Sequence, residues 1–258
     1  MLLSQLDPPP FTTRRPGSRW PAVLVCDHAS NAVPARLAQL GLSESQLSQH
    51  IAWDIGAARL AESLSQRLHL PLVSSGYSRL VVDCNRDPHS EASMLAVSDG
   101  HSIPGNTNLT AADRDARIRA IFQPYHAAIE AELAATACDA PALIAIHSFT
   151  PAMRGQSRPW HCGILWDLDG RLPLPMLDAL RAEPGLVVGD NEPYSGRDPS
   201  DYTVGVHGEA HGRPHVCIEV RQDLLQSEAG ILEWGERFAR VLTPLLDNPS
   251  LYRRFEVR

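Results

Sequence analysis

The chain has 258 residues, 43% of them hydrophobic, enough to bury one large core or two small ones. Its net charge is −7 and all 23 basic residues are arginines, with no basic run, which argues against nucleic-acid binding and removes lysine Schiff-base chemistry. No segment approaches the ~20 apolar residues of a membrane span, and the N-terminus lacks an apolar signal core. The expectation is a soluble cytoplasmic protein, a monomer or small homo-oligomer, with neither membrane nor nucleic-acid partners. Five scattered cysteines without a CxxC pair read as free, mostly buried thiols.

Strand and helix patterns alternate along the chain. Ala22–Cys26 reads as a buried strand, because its apolar run is continuous rather than alternating. A helix begins at the N-cap candidate Ser43 and its periodicity continues through Ala57, Leu60, Ala61, Leu64 and Leu68. Short strands follow at 72–74 and 79–83. Residues 88–109 are rich in Pro, Ser, Gly and Asn and read as a long loop of the kind that often carries function. A long amphipathic helix spans 110–137, with Ile118, Ile121, Phe122, Tyr125, Ile129 and Leu133 on one side. Then come a strand at 142–146, a polar loop at 149–160, a strand at 162–166, a helix at 173–182 and a strand at 186–188. A Gly/Pro/Asp-rich loop at 189–213, a strand from His215 to Glu219 and a helix near 227–246 complete the chain. No linker or repeat interrupts the alternation. It predicts a single α/β domain over 1–258, with a mixed, mostly parallel sheet and helices on both faces.

Three predicted strands end in residues suited to chemistry. Ligands of open α/β sheets bind beyond the carboxyl ends of the strands. Ala142–Ile146 runs into His147 and Ser148, Ala22–Cys26 into Asp27 and His28, and His215–Ile218 into Glu219. Two imidazoles at such positions suggest metal ligands, although a lone histidine is more often structural. Asp54, among Ile, Ala, Trp and Ile, needs a partner if buried and is the preferred third ligand, with Asp27 as the alternative. Glu219, between Ile218 and Val220, suits a general base acting on metal-activated water, unless the strand turns it to solvent. Arg79, Asn85 and Arg86 offer guanidinium and amide groups to an anionic small-molecule substrate, and Arg79 could equally pair with Asp83. Arg154, Arg158 and the turn at Tyr194 add further candidates. Ser30 and Ser148 lie in no GxSxG elbow, which disfavours serine catalysis. Gly208 and Gly212 argue against a helix presenting His207 and His211 together.

Taken as an ordered set, five segments resemble the N-formylglutamate amidohydrolase family. They are 25–34 (VCDHASNAVP), 50–56 (HIAWDIG), 78–86 (SRLVVDCNR), 146–149 (IHSF) and 218–223 (IEVRQD). That family is distantly similar to zinc carboxypeptidases, so the resemblance implies a zinc-carboxypeptidase-like (phosphorylase/hydrolase-like) fold. It also implies one Zn2+ per chain on His28 and His147, substrate contacts from Arg79, Asn85 and Arg86, and Glu219 as base. The carboxypeptidase HxxE glutamate is absent: Asn31 stands in its place, and the third ligand is open between Asp54, Asp27 and Asn31. The implied reaction is hydrolysis of the N-acyl amide of an acidic amino acid such as N-formyl-L-glutamate. Other hydrolysis of N-acyl-amino-acid or peptide amides, as by a carboxypeptidase, is the alternative, with a non-catalytic ligand-binding protein beside it.

Overall fold

The apolar runs become the middle of a seven-stranded sheet in the computed structural model of the chain, which describes residues 1–198 and 201–256. In chain order the elements are β1 (Phe11–Arg14), β2 (Ala22–Cys26), α1 (Glu44–Leu47), α2 (Ala57–Leu68) and β3 (Leu72–Ser75). The β4–β5 hairpin (Val97–Ser98, His101–Ser102), α3 (Ala111–Arg117), α4 (Gln123–Ala135) and β6 (Ala142–Phe149) follow. The β7–β8 hairpin (Ala152–Met153, Gln156–Ser157), β9 (Cys162–Leu165), α5 (Pro173–Arg181) and β10 (Val188–Asp190) come next, before α6 (Thr203–His207), β11 (His215–Arg221) and α7 (Glu228–Leu246). The sheet order is β1-β3-β2-β6-β11-β9-β10. The joins from β3 to β11 are parallel, as is β9–β10, while β1–β3 and β11–β9 are antiparallel.

Strand alternation divides the core in two. Leu24, Ile144, Ile146, Val216 and Ile218 face α2, α5 and α7. Val23, Val25, Leu143, Ala145 and Cys217 face the opposite layer, where Ile121, Tyr125 and Ile129 are fully buried. His147 and Glu219 continue the second face at the strand ends, and so does Asp27.

Several local expectations need correction. The predicted helix from Ser43 to Leu68 is two helices separated by a loop at 48–56. Ser43 does cap α1, through a capping box with Gln46. Gly56 ends the loop at φ 86, and a Cβ there would come within 2.4 Å of the Leu225 Cβ, so only glycine lets the chain enter α2 at this point. Residues 79–83 form turns and no strand, because Arg79 and Asp83 bond to each other and into the site instead of to a ladder. The helix over 111–135 contains a π-type stretch at Ile118–Phe122. The polar segments 88–109 and 149–160 hold short hairpins, and 189–213 contains α6, which ends at His207, so His207 and His211 do not share a helix, as Gly208 implied. All five cysteines are free, and four of them are buried. No helix among the described residues is long and apolar enough to cross a membrane.

Candidate active site

Parallel pairing of β2 with β6 and of β6 with β11 brings three strand ends side by side. Val25 stands beside Ala145, and Glu219 directly beside His147. His28 lies two residues past the end of β2, and its ring centroid is 5.0 Å from that of His147. Asp54 arrives from the 48–56 loop. Its N–H donates to the His28 carbonyl at 3.0 Å, and its Oδ2 accepts from the Ser148 N–H at 3.3 Å. The Ser148 hydroxyl donates to the Ile55 carbonyl at 2.9 Å, so this serine anchors the loop and takes no nucleophile's position.

His28, Asp54 and His147 are all buried, and their ligand atoms lie within 4.8 Å of one another. The atoms that face each other are identifiable. Asp54 Oδ2 lies 3.3 Å from His28 Nδ1 and 2.8 Å from His147 Nδ1. The outer nitrogens are already engaged: His28 Nε2 lies 2.7 Å from Asp83 Oδ1, and His147 Nε2 lies 3.0 Å from Asp27 Oδ2. An Nε2–H held by a carboxylate leaves the Nδ1 lone pair directed inward, which is the usual arrangement behind a metal-binding histidine. Asp27 therefore stands behind His147 and is not a third ligand in this geometry. Asn31 donates to the Leu47 carbonyl at 3.0 Å and takes no part.

The charges point the same way. Asp27, Asp54 and Asp83 are each at most 5% exposed, and Arg79 is the fixed cation paired with two of them. Three buried carboxylates against one guanidinium leave two negative charges to balance, which a divalent cation or two imidazolium protons supply. With no cation bound, burial works against charging His147, but Asp27 and Asp54 outweigh it and hold the ring protonated. Burial likewise opposes an ionised Asp27, yet the bond to His147 and the two imidazoles draw it down to about 2. Glu219 is the exception. Burial pushes it up to about 8, His147 opposes that and Asp54 adds to it. Its Oε2 is buried without a hydrogen-bond partner among the described residues, and it lines a cavity of about 130 Å³ together with His28, Asp54 and His147.

The other predicted site residues are placed unevenly. Arg79 forks onto Asp83 through Nε at 3.0 Å and Nη2 at 2.8 Å, while still lining the cavity. Asn85 lines it too, but its Oδ1 accepts the N–H groups of Tyr202 and Thr203, tying down the start of α6. Arg86 donates to Asp201 at 2.7 Å at the cavity wall. Tyr194 borders the cavity, and its hydroxyl accepts from Arg158 at 3.2 Å, with the guanidinium 4.9 Å from the ring centre. Arg154 is not among the residues lining this cavity. It borders a neighbouring one. Sequence reasoning missed the role of Asp83 as partner of His28, although its place after an apolar run beside Arg79 was a signal. It also missed Tyr125 and Thr203, whose hydroxyls donate to Asp27 Oδ1 at 2.9 and 2.7 Å.

Comparisons with known proteins identify the family. The family model described as N-formylglutamate amidohydrolase matches residues 20–226, a span that contains every residue from His28 to Glu219. The chain belongs to the N-formylglutamate amidohydrolase family. A gene product of Agrobacterium tumefaciens of solved structure is 34% identical, with a TM-score of 0.90 over 95% of this chain and 98% of that one. N-formylglutamate amidohydrolase from Ralstonia eutropha JMP134 shares the fold at 20% identity, with a TM-score of 0.68 over 92% of this chain and 97% of that one. No curated protein sequence matches the chain.

Behind the site of this family member lies a second histidine pair. His126 Nδ1 is 2.8 Å from His207 Nε2, and His126 Nε2 donates to the Cys84 carbonyl at 2.9 Å. His207 Nδ1 in turn faces Glu130 at 2.6 Å. Burial, aided by His207, holds His126 down at about 4. The unfolded chain takes up this proton near pH 6.5, and the folded one not until about pH 4. Stability is therefore fully present above pH 6.5 and falls as pH drops toward 4, by about 3 kcal/mol from this group. Urea unfolding of wild type and of His126→Gln at pH 7 and pH 4.5 checks it: the variant loses this part of the acid sensitivity.

Proposed function

We propose that the protein is a zinc-dependent amidohydrolase, with one Zn2+ per chain, that hydrolyses the N-formyl amide of an acidic amino acid such as N-formyl-L-glutamate. The observation that carries this reading is the facing arrangement in one buried cavity. On one side stand two imidazole nitrogens and a carboxylate oxygen, with their outer nitrogens tied by carboxylates. Beside them is a glutamate oxygen without a partner. Two histidines and one acidic residue are a common protein donor set of catalytic zinc, with a coordination position left open. Zinc held by His28 Nδ1, His147 Nδ1 and Asp54 supplies Lewis acidity toward a carbonyl oxygen and toward water.

The rest of the work falls to the protein's own groups. Glu219 Oε2 takes the proton of the attacking water and returns it to the leaving amine nitrogen. Its burial and the two negative neighbours Asp54 and Asp201 make it a stronger base than a solvated carboxylate. A cation at the metal position offsets part of that rise, which keeps the carboxylate ionised near neutral pH. Arg79 and Arg86 present charged edges to the substrate's carboxylates, and Asn85 lines the cavity while holding the start of α6 in place. The small cavity keeps bulk water from the reacting atoms and the carbonyl near Glu219.

The account is tested by mixing zinc-loaded protein with N-formyl-L-glutamate and following formate. Release that stops on chelation supports it. A further expectation concerns Tyr125, which acts through Asp27 on His147. Tyr125→Phe removes one donor to Asp27 and should weaken zinc binding about tenfold. Competition with a chromophoric chelator measures that change directly.

A further inference from the structure

The segments 88–109 and 149–160, far apart in sequence, both border one cavity beside the active site. This second cavity, of about 230 Å³, adjoins the metal cavity because Arg79 and Tyr194 line both. Its lining is mixed: Ile51 and Leu80 are buried apolar walls and Leu95 and Met153 add more open apolar surface, between polar groups such as Ser98 and Asp99. Leu95 is 43% exposed, so it presents apolar surface that a ligand would cover. A cavity of ~150 Å³ accommodates a benzene ring, so this one has room for a chain of about six carbons.

The charged groups around the chamber are, with one exception, already paired. His50 bonds Asp99 at 3.1 Å, and Arg79 bonds Asp83. Arg154 is exposed and makes no hydrogen bond or ion pair among the described residues. It sits at φ 50 beside Gly155 at φ 78, in the turn of the β7–β8 hairpin, where asparagine or glycine would be the unstrained choice. A long cation without a partner among the described residues, at the rim of a partly apolar chamber, is suited to gripping an anion.

Resting on the function proposed above, we infer that this chamber receives one arm of the scissile amide. That arm is an apolar chain of roughly six carbons that ends in a carboxylate bound by Arg154. A formyl group leaves the chamber empty on the acyl side, and the two-methylene arm of glutamate fills little of it on the amine side. The preferred substrate class is thus a longer ω-carboxylated N-acyl amino acid. Either half of the amide can carry the long arm, and the test separates the two.

The zinc-loaded protein is assayed with N-formyl-L-glutamate, with N-(7-carboxyheptanoyl)-L-glutamate and with N-formyl-L-2-aminosuberate. The inference predicts a kcat/KM at least about tenfold above that of N-formyl-L-glutamate for one of the extended compounds. Its identity shows which arm enters. Arg154→Glu and Leu95→Asp should each lower the extended-to-compact ratio at least about tenfold. Extended compounds no better than N-formyl-L-glutamate, or a ratio that neither variant alters, overturn the inference and leave the proposed function standing. Failure of all three compounds removes the proposed function instead. Calorimetry with suberate and succinate then decides the chamber: preference for suberate lost in Arg154→Glu upholds it, and equal affinities reject it.

Discussion

Glu219→Gln is expected to lower kcat at least about 100-fold while the protein keeps its zinc, its fold and most of its substrate affinity. The amide is nearly isosteric with the acid, so the fully buried surroundings on β11 are not disturbed. It can no longer accept the proton of the attacking water. The strand geometry sharpens the expectation, because Glu219 is the register partner of His147 on the neighbouring strand. Two other carboxylates of the cavity are already engaged. Asp54 is taken by the two histidines, and Asp201 accepts from Arg86 and Asn85. Steady-state kinetics with formate detection, alongside zinc analysis of the same sample, measure both parts. Wild-type activity in the variant would remove Glu219 from the mechanism.

His147→Ala should abolish stoichiometric zinc and with it activity. The substitution removes one of the two proposed imidazole ligands. It also leaves Asp27 Oδ2 and Asp54 Oδ2 without the ring that separates them. Two buried carboxylates losing a shared partner cost several kcal/mol by analogy with broken buried ion pairs (about 3–5), so the variant is also expected to melt at lower temperature. Metal analysis after dialysis reads the first effect and thermal unfolding the second. One zinc per chain in His147→Ala would show that the ligands lie elsewhere.

Much of this was readable in the amino-acid order. Continuous apolar runs marked β2, β6 and β11, and the polar residue following each run marked the strand end where chemistry collects. His28, His147 and Glu219 therefore stood out without any structure. Asp54 was legible as a charge stranded among Ile, Ala and Trp. The loop that carries it was not, since the helical periodicity of residues on either side hides an interruption that only Gly56 hints at. The strand expected at 79–83 fails for a different reason. Its apolar core, Leu80-Val81-Val82, is buried by turns, while Arg79 and Asp83 at its ends bond to each other. Local pattern reports that the segment is buried and leaves its backbone path open. Partners that act through another residue were invisible for the same reason. Tyr125 looked like one more apolar-face residue of a helix, and only tertiary packing brings its hydroxyl to Asp27.

The arginines show where such reading leaves two roles open. A guanidinium beside a predicted site suggests a grip on carboxylates. Arg79 also pairs with Asp83, the alternative its spacing offered, orienting the residue that orients His28. It also lines the cavity, so any contribution to substrate binding is coupled to the candidate metal site.

The most direct test of the account is a paired measurement on one preparation: zinc content per chain, and formate released from N-formyl-L-glutamate before and after chelation and after zinc is restored. The account predicts one zinc per chain, hydrolysis lost with the metal and recovered with it. Undiminished hydrolysis by the metal-free protein would contradict it.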